Sequence, residues 1–227
     1  SLYMAEVIEE LKDGRKHPAV HTYTSTLHSF AAFSGDAMPM NEVFTPGRLK
    51  EYEDWLLQRR LSWNTISTYM RTLQAVYNRL SPPGTPEHNP RLFDDVYTKV
   101  KSQIKRALTE EQMGRLMHAD LDVLSEELQR VQAYFLLMFL FRGMPFIDLA
   151  HLRKRDVKDG KIAYRRHKTG KQITLRIPRE ALPLLKEFKD KDETSLYLFP
   201  ILNAAPEGDE ALYECYQKAL RNFNKML

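Results

Sequence analysis

The sequence predicts a mainly α-helical protein in two parts, a helical bundle followed by a helical domain with a small antiparallel sheet. Three observations carry this. Apolar residues recur at helical spacing through most of the chain. One pair of short alternating segments, Lys161–Arg166 and Gln172–Ile177, flanks a glycine-containing turn. A cluster of chain breakers, Ser81-Pro82-Pro83-Gly84-Thr85-Pro86, closes the first helical stretch.

Taken in order, Leu2 to Lys12 places Val7, Ile8 and Leu11 on one stripe and stops at Gly14. Pro18 to Phe33 carries Val20, Leu27, Phe30 and Ala31, and Ser34-Gly35-Asp36 ends it. Thr45-Pro46 reads as an N-cap with a first-turn proline, opening a helix to Arg60. Asn64 is expected to cap a helix over Thr65 to Leu80, where Ile66, Tyr69, Leu73, Val76 and Leu80 repeat. The chain then runs to a basic joint at Lys105-Arg106, which sets the expected domains at 1–104 and 105–227. Thr109 with Glu110 and Glu111 opens the second part. A long helix follows, about Leu124 to Phe141. Its Tyr134–Phe141 end is apolar all round, which predicts burial at a domain centre. Next comes the hairpin, tipped by His167-Lys168-Thr169-Gly170-Lys171. Pro178 opens a helix through Phe188, and Glu210 to Leu227 reads as helical.

Composition narrows the function. With 43% hydrophobic and 28% charged residues, the 227-residue chain reads as an ordinary globular protein. One cysteine, Cys215, makes no internal disulfide and suits a reducing compartment. The longest apolar run, Ala133 to Phe141, falls far short of the about 20 residues a membrane helix needs. Glu6, Glu9, Glu10 and Asp13 break any signal-peptide core. The expected location is therefore the cytoplasm. The net charge of +4 is modest, but residues 142–179 hold twelve Lys/Arg against three Asp, a net of +9. A block of that density points to a polyanion or to a solvated basic surface.

Four stretches resemble the tyrosine recombinase (phage-integrase-like) family. Leu61-Ser62-Trp63-Asn64-Thr65-Ile66-Ser67-Thr68-Tyr69-Met70-Arg71-Thr72-Leu73 resembles its core-binding helix. Leu108-Thr109-Glu110-Glu111-Gln112 resembles the entry to its catalytic domain. Phe139 to Leu152, with Asp156, resembles the region of its first arginine. His167-Lys168-Thr169-Gly170-Lys171 resembles the hairpin bearing its catalytic lysine. The feel is nearest to integrases of conjugative transposons. The resemblance implies a SAM-like core-binding domain, then part of an α+β catalytic domain. It also implies a site-specific recombinase or integrase that cuts and rejoins double-stranded DNA through a covalent 3′-phosphotyrosine, with no cofactor and no metal. The parent enzyme is expected to act as a homo-tetramer on DNA, and these 227 residues to be mostly monomeric, associated with the bacterial nucleoid and without membrane contact.

Phosphoryl transfer needs guanidinium forks for the phosphoryl oxygens and a proton for the departing 5′-oxygen. By resemblance Lys168 supplies that proton. The family string Thr-Gly-Leu-Arg-x-x-Glu-Leu places Pro145 at the arginine position. Arg142, three residues earlier, is then either a substitute reaching the phosphate or a cation capping the long helix. Asp148 reads as a structural carboxylate or a helix cap. No His-x-x-Arg follows Lys168. His88-Asn89-Pro90-Arg91 lies before the second domain and is read as coincidence. Tyr213 and Tyr216 read as packing residues. The chain is thus expected to stop in mid-domain, to bind DNA without cutting it, and to carry Glu210–Leu227 loosely docked.

The DNA contacts expected in the first part are Lys50, Arg60, Asn64, Thr65, Ser67 and Arg71. Hydroxyls and cations at a helix start suit phosphates, and Asn64 and Thr65 suit capping as well. In the second part Arg153, Arg165 and Arg166 are expected to bind phosphate, with Lys154 and Arg155 beside them. Arg166 and Lys168 share strand parity, which predicts a common face. His118 and His151 read as surface or half-buried polar residues. The alternative is a non-enzymatic DNA-binding regulator or accessory factor on the same fold. A third reading, an all-α module for acidic partners, leaves the Lys-Thr-Gly hairpin unexplained.

Overall fold

A computed structural model describes residues 2–14, 17–35, 40–101, 107–119, 123–203 and 208–227. The chain divides into two compact units, Ser1–Lys105 and Arg106–Leu227. The basic joint at 105–106 lies outside the described residues, as does Asp36.

The first unit is helical: α1 (Leu2–Asp13), α2 (His17–Ser34), α3 (Met40–Val43), α4 (Pro46–Gln58) and α5 (Trp63–Leu80). Met4, Val7, Ile8 and Leu11 of α1 are buried, as a one-faced helical stripe requires. On α5 the buried positions Ile66, Met70, Leu73 and Tyr77 run down one face. Each such apolar side chain contributes about 1.5–3 kcal/mol relative to exposure. Phe30, Phe33, Tyr52 and Trp55 form an aromatic cluster where α2 meets α4, with Phe30 and Tyr52 edge to face at 5.0 Å. Thr45 caps α4 by accepting from the Arg48 N–H, with Pro46 in the first turn. The cap of α5 is Ser62, not Asn64: the Ser62 Oγ accepts from the Thr65 N–H at 3.2 Å. The His88–Arg91 string belongs to packing in this unit. Its His88 ring stacks on Tyr77, and the Asn89 N–H donates to the Tyr77 hydroxyl at 2.7 Å.

The second unit opens with α6 (Glu110–Met117), held by a Thr109/Gln112 capping box. Then α7 (Glu126–Leu140) and the short α8 (Phe146–His151) precede a 3₁₀ turn at Lys154–Asp156. Strands β1 (Val157–Lys158), β2 (Lys161–Arg165) and β3 (Gln172–Arg176) pair antiparallel in the order β1-β2-β3. Strand β1 was not expected. Its signal was the Asp159-Gly160 pair, which carries positive φ at both residues (50° and 68°) and joins Lys158 to Lys161 in a two-residue turn. Helices α9 (Ala181–Phe188) and α10 (Asp209–Met226) complete the unit. The core gathers Tyr134 and Leu137 of α7 and Phe141 just after it with Leu149, Ile162, Leu175, Ala181 and Phe199.

Two expectations are corrected here. Helix α7 is buried around its middle, at Val131 to Tyr134, but its last turn is not enclosed all round, because Phe139 is 53% exposed. Helix α10 is firmly docked: Tyr216 and Phe223 are buried, and the Phe223 ring stacks on Phe146 at 4.4 Å. None of the described helices is long and apolar enough to cross a membrane.

Candidate nucleic-acid interface

The second unit builds a polar cleft of about 470 Å³. Its floor comes from α8. Asp148 and His151 lie three residues apart and share a face of that helix. Its rim is cationic: Arg153 and Arg155 come from the turn after α8, and Arg165 from the end of β2. A short pairing fixes this rim, since the Lys154 N–H donates to the Leu196 carbonyl and the Leu198 N–H to the Leu152 carbonyl. That pairing places Tyr197 opposite Arg153. Arg153, Arg155 and Arg165 are all exposed.

Asp148 is only 2% exposed. Its Oδ1 accepts from the His167 backbone N–H at 2.8 Å, so a carboxylate on α8 holds the base of the β2–β3 turn. Its Oδ2 is buried with no partner. His151 has its Nδ1 at 2.8 Å from the Ile147 carbonyl, which makes Nδ1 the protonated nitrogen. Burial lowers the His151 pKa below its ordinary value, and the neighbouring His167 ring, 4.8 Å away, lowers it further. Burial also raises the Tyr164 pKa, with Asp148 adding to the rise and Arg166 opposing it.

The turn between β2 and β3 is tight. The Arg166 N–H donates to the Lys171 carbonyl at 2.9 Å, and the Arg166 carbonyl accepts from the Gly170 N–H at 2.7 Å. Gly170 has φ +66°. Because β2 ends at Arg165, strand parity does not carry on to Lys168, and the expected common face of Arg166 and Lys168 is withdrawn. Arg166 is half-buried, whereas Lys168 is exposed on the turn. Arg142 is also exposed, at the end of α7. Neither Arg142 nor Lys168 lines the cleft.

Arg142 and Arg60 share a backbone feature. Both helices, α7 and α4, end in a Schellman motif with arginine where glycine is usual. Arg142 has φ +61°; its N–H reaches the Phe139 carbonyl and the Gly143 N–H the Met138 carbonyl, both at 3.0 Å. Arg60 has φ +59°; its N–H reaches the Leu57 carbonyl at 2.8 Å and the Leu61 N–H the Leu56 carbonyl at 3.3 Å.

In the first unit several expected contacts are already engaged. Ser67 is corrected: it is 1% exposed and faces the core, so it offers nothing to a duplex. Asn64 is bonded to backbone. Its amide donates to the Lys101 carbonyl at 3.2 Å, and its carbonyl accepts from the Lys101 N–H at 3.0 Å. Lys50 pairs with the buried Glu53, whose other oxygen accepts from the Tyr97 N–H at 2.6 Å. Thr65 lines a hydroxyl-rich pocket of about 460 Å³ with His21, Ser25, Thr68 and Tyr69. Arg71 is exposed on α5. Sequence reasoning assigned no role in the site to His151, His167 and Tyr197. For His151 the available signal was its i+3 spacing from Asp148. Among the described residues, no group of three His, Cys, Asp or Glu is placed to hold a metal ion.

Comparison with known proteins fits this geometry. Residues 2–80 match the phage integrase SAM-like domain. No curated protein matches the chain in sequence. Among solved structures, a lambda integrase dimer bound to a COC' core site superposes with TM-score 0.65 at 16% identity. That match covers 98% of this chain and 77% of the integrase chain. A lambda integrase tetramer bound to a Holliday junction gives TM-score 0.62 at 13% identity, over 97% of this chain and 65% of the other. A further lambda integrase structure bound to DNA gives 0.61 at 14% identity, over 98% and 77%. Residues 2–80 thus match the SAM-like domain of phage integrases, and the fold over nearly the whole chain is shared with lambda integrase.

Proposed function

We propose that these residues form the DNA-binding part of a site-specific recombinase or integrase that joins strands through a 3′-phosphotyrosine. The observation that carries this reading is the cleft of the second unit, where Arg153, Arg155 and Arg165 surround a floor built on Asp148. Guanidinium groups match phosphate oxygens bidentately and stay charged at any working pH. In the first unit Arg60, Thr65 and Arg71 add phosphate contacts along the first half of α5 and just past the end of α4. Lys50 and Asn64 take part only by giving up Glu53 and Lys101.

Lys168 acts as the general acid. The Asp148–His167 bond fixes the base of its turn, and its exposed ammonium protonates the leaving 5′-oxygen. Arg142 reaches the phosphate from the end of α7. Its left-handed backbone is disfavoured for a side chain by about 1 kcal/mol, a cost that binding would justify. Residues 169–227 hold no histidine, hence no His-x-x-Arg, and Tyr216 is buried in the core. These 227 residues therefore bind duplex DNA without cleaving it. The domains meet at 104–105, the chain alone is mostly monomeric, and the parent enzyme works as a tetramer on cytoplasmic, nucleoid DNA of a mobile element.

The test is strand cleavage by the product of the full reading frame. Lys168→Ala should abolish cleavage of ordinary DNA. It should leave nearly unimpaired the cleavage of a substrate whose 5′-bridging oxygen is sulfur, because a thiolate leaves without a proton. Equal loss on both substrates would remove Lys168 as the acid. Unimpaired cleavage by Arg142→Ala would remove Arg142 from the site.

A further inference from the structure

We propose that Arg166 is a phosphate-binding arginine, delivered by the β2–β3 turn and oriented by Asp148. It supplies a second guanidinium in a site where Pro145 stands at the family's arginine position. The inference rests on the DNA-binding reading above and adds a named contact to it.

Three observations support it. First, the Arg166 Nε is buried and has no hydrogen-bond partner. Buried polar groups are almost always satisfied, and a charged donor left without an acceptor is among the costliest exceptions. Second, the Asp148 Oδ2 is an equally unpartnered buried acceptor, and the His167 N–H that binds the other Asp148 oxygen belongs to the residue next to Arg166. Both charges act on the same phenol, Tyr164. The site thus holds a donor and an acceptor, each with unused capacity, that no hydrogen bond or ion pair joins in this structure. Third, the Arg166 backbone is the fixed point of the turn, since its N–H and its carbonyl both close hydrogen bonds across it. Arg166 lies between Arg165, which lines the cleft, and Lys168, so one short segment presents three cations.

A phosphate oxygen fits this arrangement. The guanidinium has five donors in a planar fork. Asp148 can hold one edge while a phosphate accepts from another. Asp148 is then a positioning residue: it aims Arg166 and, through His167, fixes the turn that bears Lys168.

The test uses the 227-residue chain and a mixed-sequence DNA duplex, with affinity followed from about 50 to about 200 mM salt. Each lost phosphate contact should lower the logarithmic slope by about one unit. Arg166→Gln should show that loss. Arg166→Lys should keep the wild-type slope yet bind several-fold more weakly, because it retains the charge and loses the fork. Arg115→Gln, on an exposed i,i+4 pair with Glu111, is the reference and should change nothing. A wild-type slope in Arg166→Gln overturns the proposal. If that variant does not fold, Arg166→Lys decides: undiminished affinity overturns it. A flat salt response of the wild type removes the DNA-binding reading itself, a separate outcome.

Discussion

The two units spend their polar residues differently. In the first, the side chains that sequence spacing offers to DNA are largely engaged within the fold. Asn64 grips the Lys101 backbone, Lys50 neutralises Glu53, and Ser67 lies in the core. In the second, Arg153, Arg155 and Arg165 stand exposed around a cleft; both units keep buried polar atoms without partners, Arg48 and Ser67 in the first and Asp148 and Arg166 in the second, but only in the second do they lie beside that cationic cleft. A polar residue on a helix face is therefore a weak indicator of binding until its existing partners are known. Unused hydrogen-bonding capacity beside exposed cations is a stronger one.

The largest effect that would sharpen this contrast is structural and lies in the first unit. Glu53→Ala removes a side chain only 3% exposed and strands the Tyr97 N–H. It should cost about 3 kcal/mol in chemical denaturation. A cost below about 1 kcal/mol would mean that Glu53 is not the internal anchor described. In the second unit Asp148→Ala should cost about 2 kcal/mol and speed hydrogen exchange at the His167 amide. Unchanged exchange there would break the link between α8 and the turn.

Smaller and opposite in sign are the helix-end arginines. Arg142→Gly and Arg60→Gly should each stabilise the protein by about 1 kcal/mol, since glycine suits a left-handed backbone. Each should also weaken duplex binding. Stabilisation without weaker binding would reduce both arginines to simple caps.

The smallest effects are in pH. The His151 pKa is lowered by folding, so the unfolded chain takes up its proton first. Its contribution is present above the ordinary histidine value of about 6.5 and is lost as pH falls below it. His151→Gln should flatten that acid limb. On the alkaline side, burial pushes the Tyr134 hydroxyl up to about 12, so stability should fall as pH rises from about 10 towards that value. Tyr134→Phe should make this decline shallower without removing it, because burial also raises the Tyr52, Tyr164 and Tyr216 hydroxyls; an unchanged slope would place the cause elsewhere.

Most of the fold was legible in the sequence because helix caps and apolar spacing are local signals. Thr45-Pro46 and Thr109-Glu110-Glu111-Gln112 mark their helix starts directly. The cap of α5 was misplaced by two residues, because Ser62 and Asn64 are both good caps and only the linker contact separates them. The two-residue strand β1 is too short to show a period, although its Asp159-Gly160 turn was in view. The site was legible in type and not in detail. The basic block stood out by count. The buried state of Asp148, the orphaned Arg166 Nε and the His151–His167 pair arise from contacts between α8 and the hairpin, which spacing alone cannot reveal.

The most direct test of the central claim is the salt dependence of duplex binding by the intact chain beside Arg153→Gln/Arg155→Gln/Arg165→Gln. A cationic cleft that holds the DNA backbone predicts a steep fall in affinity with salt, and a slope about three units shallower in the triple variant. A wild-type slope in the folded triple variant would contradict the cleft as the binding surface.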